Sequence, residues 1–408
     1  MDTEEVMIWS TPMQGAVTAE ALVGIDYQGF AREVTNLRRE INATLGVDDL
    51  THLRKIQRWG RICTVLGYGT AWIFPNPISA LLISQGIVTR WLLMHHIGHR
   101  GYDKVPGVPP RYTSKVFAMG WRRYVDWFDW IVPEAWNYEH NVLHHYNTGE
   151  RGDPDLVERN LGFLRRSNQP RWRRYLYVAL LAATWKVAYY APSTLLQLQN
   201  RRRCREGSET ARSASFIALF DPFTRGGKEF WARCLLPYGL GRFVLLPALF
   251  LPLGSRAALF VLVNSVLAEI ITNVHEFCVI GPNHTGDDLY RFDEPIKDKS
   301  EFFARQVLGS VNYTCGRDRL DYPQSWLNYQ IEHHLFPDVP MLKYQQYHDR
   351  VRELCARYGL YYRKEPIFRR LKKLVSVMIG DSSMLRVGAL THAAAPTAEP
   401  AIDQALAG

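Results

Sequence analysis

Charged residues are sparse in two long stretches of the chain, and a turn breaks each stretch once. Across residues 62–94 the only charge is Arg90, and "FPNP" at residues 74–77 interrupts the run. Proline ends helices and starts turns, so this pattern predicts two helices joined tightly rather than one long rod. Each half is shorter than the roughly 20 apolar residues that a comfortable span needs. The second half is therefore expected to run on into the histidines that follow it. The pattern recurs at residues 234–250 and 257–277, with "LPLGSR" at 251–256 as the turn. Together they predict an all-α integral membrane protein with two transmembrane helical hairpins, four spans in all. A fifth apolar run, residues 175–191, contains Lys186 and is flanked by arginines.

The spans divide the chain. Residues 1–60 read as a cytoplasmic N-terminal segment and 61–365 as the membrane domain. Residues 366–408 form a C-terminal segment ending in an Ala/Pro-rich tail, "LTHAAAPTAEPAIDQALAG", whose composition predicts disorder. Basic residues gather before and after each hairpin, while the two turns carry only Arg256. The positive-inside rule then places both termini and the polar bulk on the cytoplasmic side, of the inner membrane if the cell is bacterial. Net charge is +9. No paired-cysteine finger or aromatic RNA-binding box accompanies it, so nucleic acid is not expected as a partner and an anionic lipid surface is. None of the six cysteines forms C-x-x-C, which argues against a zinc ribbon or a disulfide framework.

Most of the 13 histidines fall in clusters: "HHIGH" (His95, His96, His99), "HNVLHH" (His140, His144, His145) and "QIEHH" (His333, His334), with His275 and His284 in "HEFCVIGPNH". Residues three and four apart share a helix face. His95 therefore aligns with His99, His140 with His144, and Gln330 with His333 and His334. The second histidine of each adjacent pair is turned by about 100° and can reach another metal. His275 sits at the end of the last predicted membrane helix, where it can drop into the same site. His96 lies off the His95–His99 face, and His52, His348 and His392 read as structural or exposed. Eight or more imidazoles exceed what one four-coordinate zinc uses. There is no H-E-x-x-H and no Glu-x-x-His pair. Imidazole suits iron, copper and zinc, and two irons with mostly histidine ligands is the economical reading.

The order H-x3-H, H-x3-HH, Q-x2-HH resembles the membrane fatty acid desaturases, at "HHIGH", "HNVLHHYNTGERGDPD" and "NYQIEHHLFP", over residues 62–364. The resemblance implies four spans and a cytoplasmic helical cap holding a histidine-rich di-iron site. The implied reaction inserts a double bond into a fatty acyl lipid, with two iron ions as cofactor and O2 as co-substrate. The implied ligands are His95, His99, His140, His144, His145, His333 and His334, with His275 as the extra histidine after the last membrane helix. Gln330 stands at a ligand position but is a weak neutral donor, suited to a metal-bound water. His284 is a further candidate, and Asp153 and Asp155 are candidates for orienting imidazole N–H groups. His96 stands where relatives often have Asp. The Q-x2-HH box resembles front-end desaturases, but no fused cytochrome b5 motif (HPGG) occurs. Electrons are therefore expected from a separate donor, of ferredoxin or cytochrome b5 type with its reductase.

One site demands one side of the membrane. Each hairpin returns the chain to its starting side, so residues 175–191 cannot span without parting His140 from His333. They are expected to lie along the cytoplasmic interface, with Lys186 at headgroup level. Glu269, deep in the last predicted helix, is the one residue that would support a transport reading; the plainer alternative is a partner for Arg242 in the neighbouring helix. The rival readings are a hydroxylase on the same scaffold and, in another class, a non-enzymatic metal- or lipid-binding membrane protein.

Overall fold

A computed structural model describes Leu22 and residues 24–205, 216–296 and 298–387. The Ala/Pro-rich tail and His392 lie outside the described residues. The first predicted hairpin is present: helix Val47–Ala71 returns as Pro77–Gly98. Asn76 starts the second helix by accepting the Ser79 N–H, and Pro77 follows at its first position, where a missing N–H costs nothing. The two helices touch through glycines. A Cβ at Gly60 would stand 2.5 Å from the Thr89 side chain, and one at Gly86 would stand 2.2 Å from that of Thr64. Such seams let backbones approach where no water drives association. The expected boundary at residue 60 falls inside Val47–Ala71, so the N-terminal segment is continuous with the first hairpin.

Among the described residues three helices are long and apolar enough to cross a membrane: Pro77–Gly98, Arg225–Leu253 and Ser255–Asn283. Val47–Ala71 begins with acidic and basic residues, and only its far half is apolar. In the second hairpin, Arg225–Leu253 alternates α turns with wider π turns at Trp231–Leu235 and Gly241–Leu245. Pro237 and Pro247 follow these turns, and the wider spacing absorbs the amide that each proline lacks.

The last long helix, Ser255–Ile280, is the hub. Asn264 donates to the carbonyls of Ala71 and Phe74 and accepts the Asn76 N–H, so it satisfies the turn of the first hairpin. Thr272 bonds Ser84 across the same contact. Glu269 does not pair with Arg242. Its carboxylate accepts from Trp130 Nε1 at 2.7 Å and from the Tyr238 hydroxyl at 2.8 Å. The Arg242 guanidinium lies over the Tyr68 ring instead. Aromatic donors supply hydrogen bonds without bringing a second charge out of water.

The fifth apolar run forms helix Arg171–Trp185, a π turn Lys186–Tyr190 and helix Ala191–Arg205, packed on the hub helix. The Lys186 side chain does not reach out to headgroups. It is fully buried, its ammonium held by Asp129 and Glu276, and its backbone N–H donates to Asn273 Oδ1 at 2.7 Å. Two carboxylates inside the protein outcompete the surface for this charge. The C-terminal segment adds helix Ile367–Met378 and strand Leu385–Val387. The strand pairs in parallel with Tyr290–Phe292, a small β element that the all-α expectation omitted.

Replacing Asn264 with Leu is expected to cost about 1–3 kcal/mol, because it strands polar backbone groups at the hairpin turn. Thermal unfolding of the detergent-purified protein should register the loss with bound metal unchanged.

Candidate metal centre

Three segments far apart in sequence meet at the end of the hairpins opposite the two turns. His95 and His96 occupy the last turn of Pro77–Gly98, and His99 caps it. His140 and His144 lie in a π turn, Glu139–His144, that continues from helix Pro133–Tyr138, and His145 follows directly. The wider turn swings His145 toward the side of His140, with ring centroids 5.0 Å apart. His333 and His334 stand on the short helix Gln330–Leu335. Ser325 and Trp326, both left-handed (φ 56° and 57°), reverse the chain just before it.

The nitrogens converge. His95 Nε2 lies 3.1 Å from His140 Nε2 and 3.2 Å from His333 Nε2. One N–H cannot serve two such contacts, whereas a cation accepts all three lone pairs. Ligand atoms of His95, His99, His140 and His333 lie within 4.8 Å of one another, and so do those of His144, His284 and His334. The sets His145–His333–His334 and His140–His144–Asp155 link the two groups. His99 Nε2, His145 Nε2 and His334 Nε2 are buried without a hydrogen-bond partner. The donor set therefore fits two neighbouring metal ions of the kind imidazole favours.

The electrostatics agree. Burial first, then the neighbouring imidazoles, holds His99, His140, His145, His333 and His334 well below the ordinary histidine range. Burial likewise pushes His284 down to about 3. These rings are neutral at physiological pH, the form that binds metal. His144 differs: burial disfavours its charge, but the Asp153 carboxylate outweighs burial and raises it. His144 Nδ1 donates to Asp153 Oδ1 at 2.9 Å, and Asp153 is held in turn by the backbone N–H groups of Gly149 and Asp155. Asp155 is 3.9 Å from His144 Nδ1.

One expected ligand falls elsewhere. His275 is half-buried and donates to the Pro323 carbonyl, outside both groups. The hub helix runs past the expected end to Ile280 and a further turn, so the histidine delivered to the site is His284, nine residues or about 13 Å further on. His96 is buried against the Ser325 carbonyl and ties the first cluster to the turn before the third. Gln330 accepts from Asn283, and its amide nitrogen lies 2.8 Å from His284 Nε2, the ring nitrogen left for a metal because Nδ1 donates to the Gly309 carbonyl at 2.9 Å. The sequence gives no warning of Gln306, whose Oε1 accepts from His334 Nδ1 at 2.7 Å, or of Trp136, stacked on His140.

Comparison with known proteins agrees with this architecture. The family profile described as fatty acid desaturase matches residues 70–366. The chain is 26% identical, over 84% of its length and 76% of the relative's, to an NADPH-dependent stearoyl-CoA 9-desaturase of Mycobacterium tuberculosis. It is 28% identical to an acyl-lipid (7-3)-desaturase of Diacronema lutheri, over 70% of this chain and 59% of that one. It is 23% identical to fatty acid desaturase 3 of Bos taurus, over 76% of this chain and 64% of that one. Apolar helices of membrane-spanning length, a buried imidazole cluster fit for metal and a family match over most of its length place this chain in the fatty acid desaturase family, as a membrane oxidoreductase.

Proposed function

We propose that the protein desaturates a fatty acyl chain carried on a membrane lipid, using O2, two irons and electrons from a separate donor protein. The observation that carries this reading is the pair of linked imidazole groups at the ends of the membrane helices. Removing hydrogen from an unactivated methylene needs an oxidant that no side chain supplies. Iron bound by these imidazoles supplies that oxidising power when reduced and given O2. The first group would be His95, His99, His140 and His333, and the second His144, His284 and His334. His145 would lie between them and Asp155 at the edge.

The remaining residues set the geometry. Asp153 fixes the ring of His144 and Gln306 that of His334, each by accepting an Nδ1 hydrogen. Trp136 covers the face of His140 and keeps water from it. In this reading all four long helices span the membrane, and both termini and the metal centre are cytoplasmic. The acyl chain then approaches from the bilayer, and two adjacent methylenes must face the centre for an alkene, rather than an alcohol, to form.

His144→Ala and His333→Ala should each abolish activity and lower bound iron while the protein still inserts into the membrane. Full activity in either variant would falsify the ligand set. Lipid analysis of a host expressing the gene reads the product: new double bonds in extracted phospholipids support the proposal. A hydroxylated chain, or conversion restricted to acyl-CoA, points to the rival chemistry or carrier.

Gln330→Ala should be more damaging than Gln330→His, because imidazole can replace the amide as a partner at His284 and Ala cannot. Metal content and turnover of the two variants decide this, and the reverse order would make Gln330 a packing residue.

A single cysteine placed at the exposed Asn168, on a cysteine-depleted background, should react only with reagent on the cytoplasmic side. Labelling from the other side would rule out the shared-face topology.

A further inference from the structure

His284 differs from the other clustered histidines in its support. His95, His140, His144, His333 and His334 stand on helical turns, whereas His284 sits in the irregular stretch after Gly281–Asn283. The ring itself meets the Gly309 carbonyl at Nδ1 and the Gln330 amide at Nε2, but the backbone that follows it is held by contacts that lead past residue 366, where the family match ends. Arg370, in helix Ile367–Met378, is completely buried. It donates from Nη1 to Asp288 Oδ1 at 2.6 Å and from Nη2 to the Thr285 carbonyl at 3.1 Å, one residue from His284. Asp288 also receives Arg363 and Lys373. Strand Leu385–Val387 secures the far end, where the Leu385 N–H donates to the Leu289 carbonyl.

Two glycines report how closely this helix docks. A Cβ at Gly286 would stand 2.3 Å from Arg370 Nη2, and one at Gly281 would stand 2.8 Å from the Leu374 side chain. Both ends of the stretch carrying His284 are thus shaped to admit the C-terminal helix. No residue of the His95–His99–His140–His333 group lies on that stretch.

We propose that Arg370 is a positioning residue for one of the two metal sites. By clamping the stretch from Gly281 to Leu289, it presents His284 to His144 and His334, while the other group is held independently. This rests on the reading of His284 as a ligand. The C-terminal segment is then part of the metal-binding apparatus, although it contributes no ligand.

Iron per chain, with the Mössbauer spectrum, should be measured on purified protein that elutes as a single folded species. The set is wild type, His284→Ala, Arg370→Met, Arg370→Lys, Gly286→Ala and the exposed Lys372→Ala. Wild type and Lys372→Ala should hold about two irons. His284→Ala, Arg370→Met and Gly286→Ala should each drop to about one, and Arg370→Lys, which keeps the charge, should recover part of the second. If His284→Ala keeps both irons, the ligand reading fails. If His284→Ala loses one and Arg370→Met or Gly286→Ala keeps two, the clamp is wrong. Should Arg370→Met not fold, Gly286→Ala and Arg370→Lys carry the same test, since each keeps the buried cation. Equal loss from both sites in a folded variant also overturns the proposal, because it would mean a general structural role.

Discussion

Imidazole nitrogens that face one another in a dry interior are the constraint to which the fold answers. His95 Nε2 has two other ring nitrogens within 3.2 Å. A buried polar atom left without a partner costs about 1–3 kcal/mol, and this site concentrates several of them. A metal would turn that liability into coordination by neutral imidazoles. Meeting at a point also dictates architecture. The first cluster must end one hairpin, His284 must follow the other, and the turns must lie at the opposite end.

The hub helix obeys a related rule at the level of the hydrocarbon. Asn264, Glu269, Thr272, Asn273 and Glu276 line its buried face, and each has a named partner on another element. Asn264 and Thr272 hold the first hairpin, Glu269 the neighbouring helix and the Trp130 loop, and Asn273 and Glu276 the helix pair around Lys186. Polar groups too costly to leave facing lipid have been spent on orientation. The same helix ends just before His284, so its alignment is passed to the metal centre.

Much of this was legible in the chain. Uncharged runs broken by Pro-Asn-Pro and Leu-Pro-Leu-Gly announced both hairpins, and the spacing of His95–His99, His140–His144 and His333–His334 announced a shared site. Asp153 was legible from its place after the second cluster. What failed was phase and partnership. His275 looked terminal because the apolar run stops near it, but a helix continues as long as its backbone bonds are satisfied. Lys186 looked interfacial because Asp129 and Glu276 are 57 and 90 residues away from it. Arg242 seemed the natural partner of Glu269 because charge is visible in a sequence, while the hydroxyl of Tyr238 and the indole of Trp130 are not obviously donors. Gln306 carries no local signal, for its role exists only once His334 is beside it.

The glycine seam of the first hairpin has a consequence for the enzyme's surroundings. A desaturase alters the order of the bilayer that solvates it, so success changes its own solvent. Helices held together by lipid pressure would loosen as unsaturated chains accumulate. Here Gly60 and Gly86 make room for the Thr89 and Thr64 side chains of the facing helix, and Asn264 bolts the turn from the side. His95 and His99 stand at the end of the second of these helices, so contacts inside the protein, rather than lipid, set where the first histidine cluster sits.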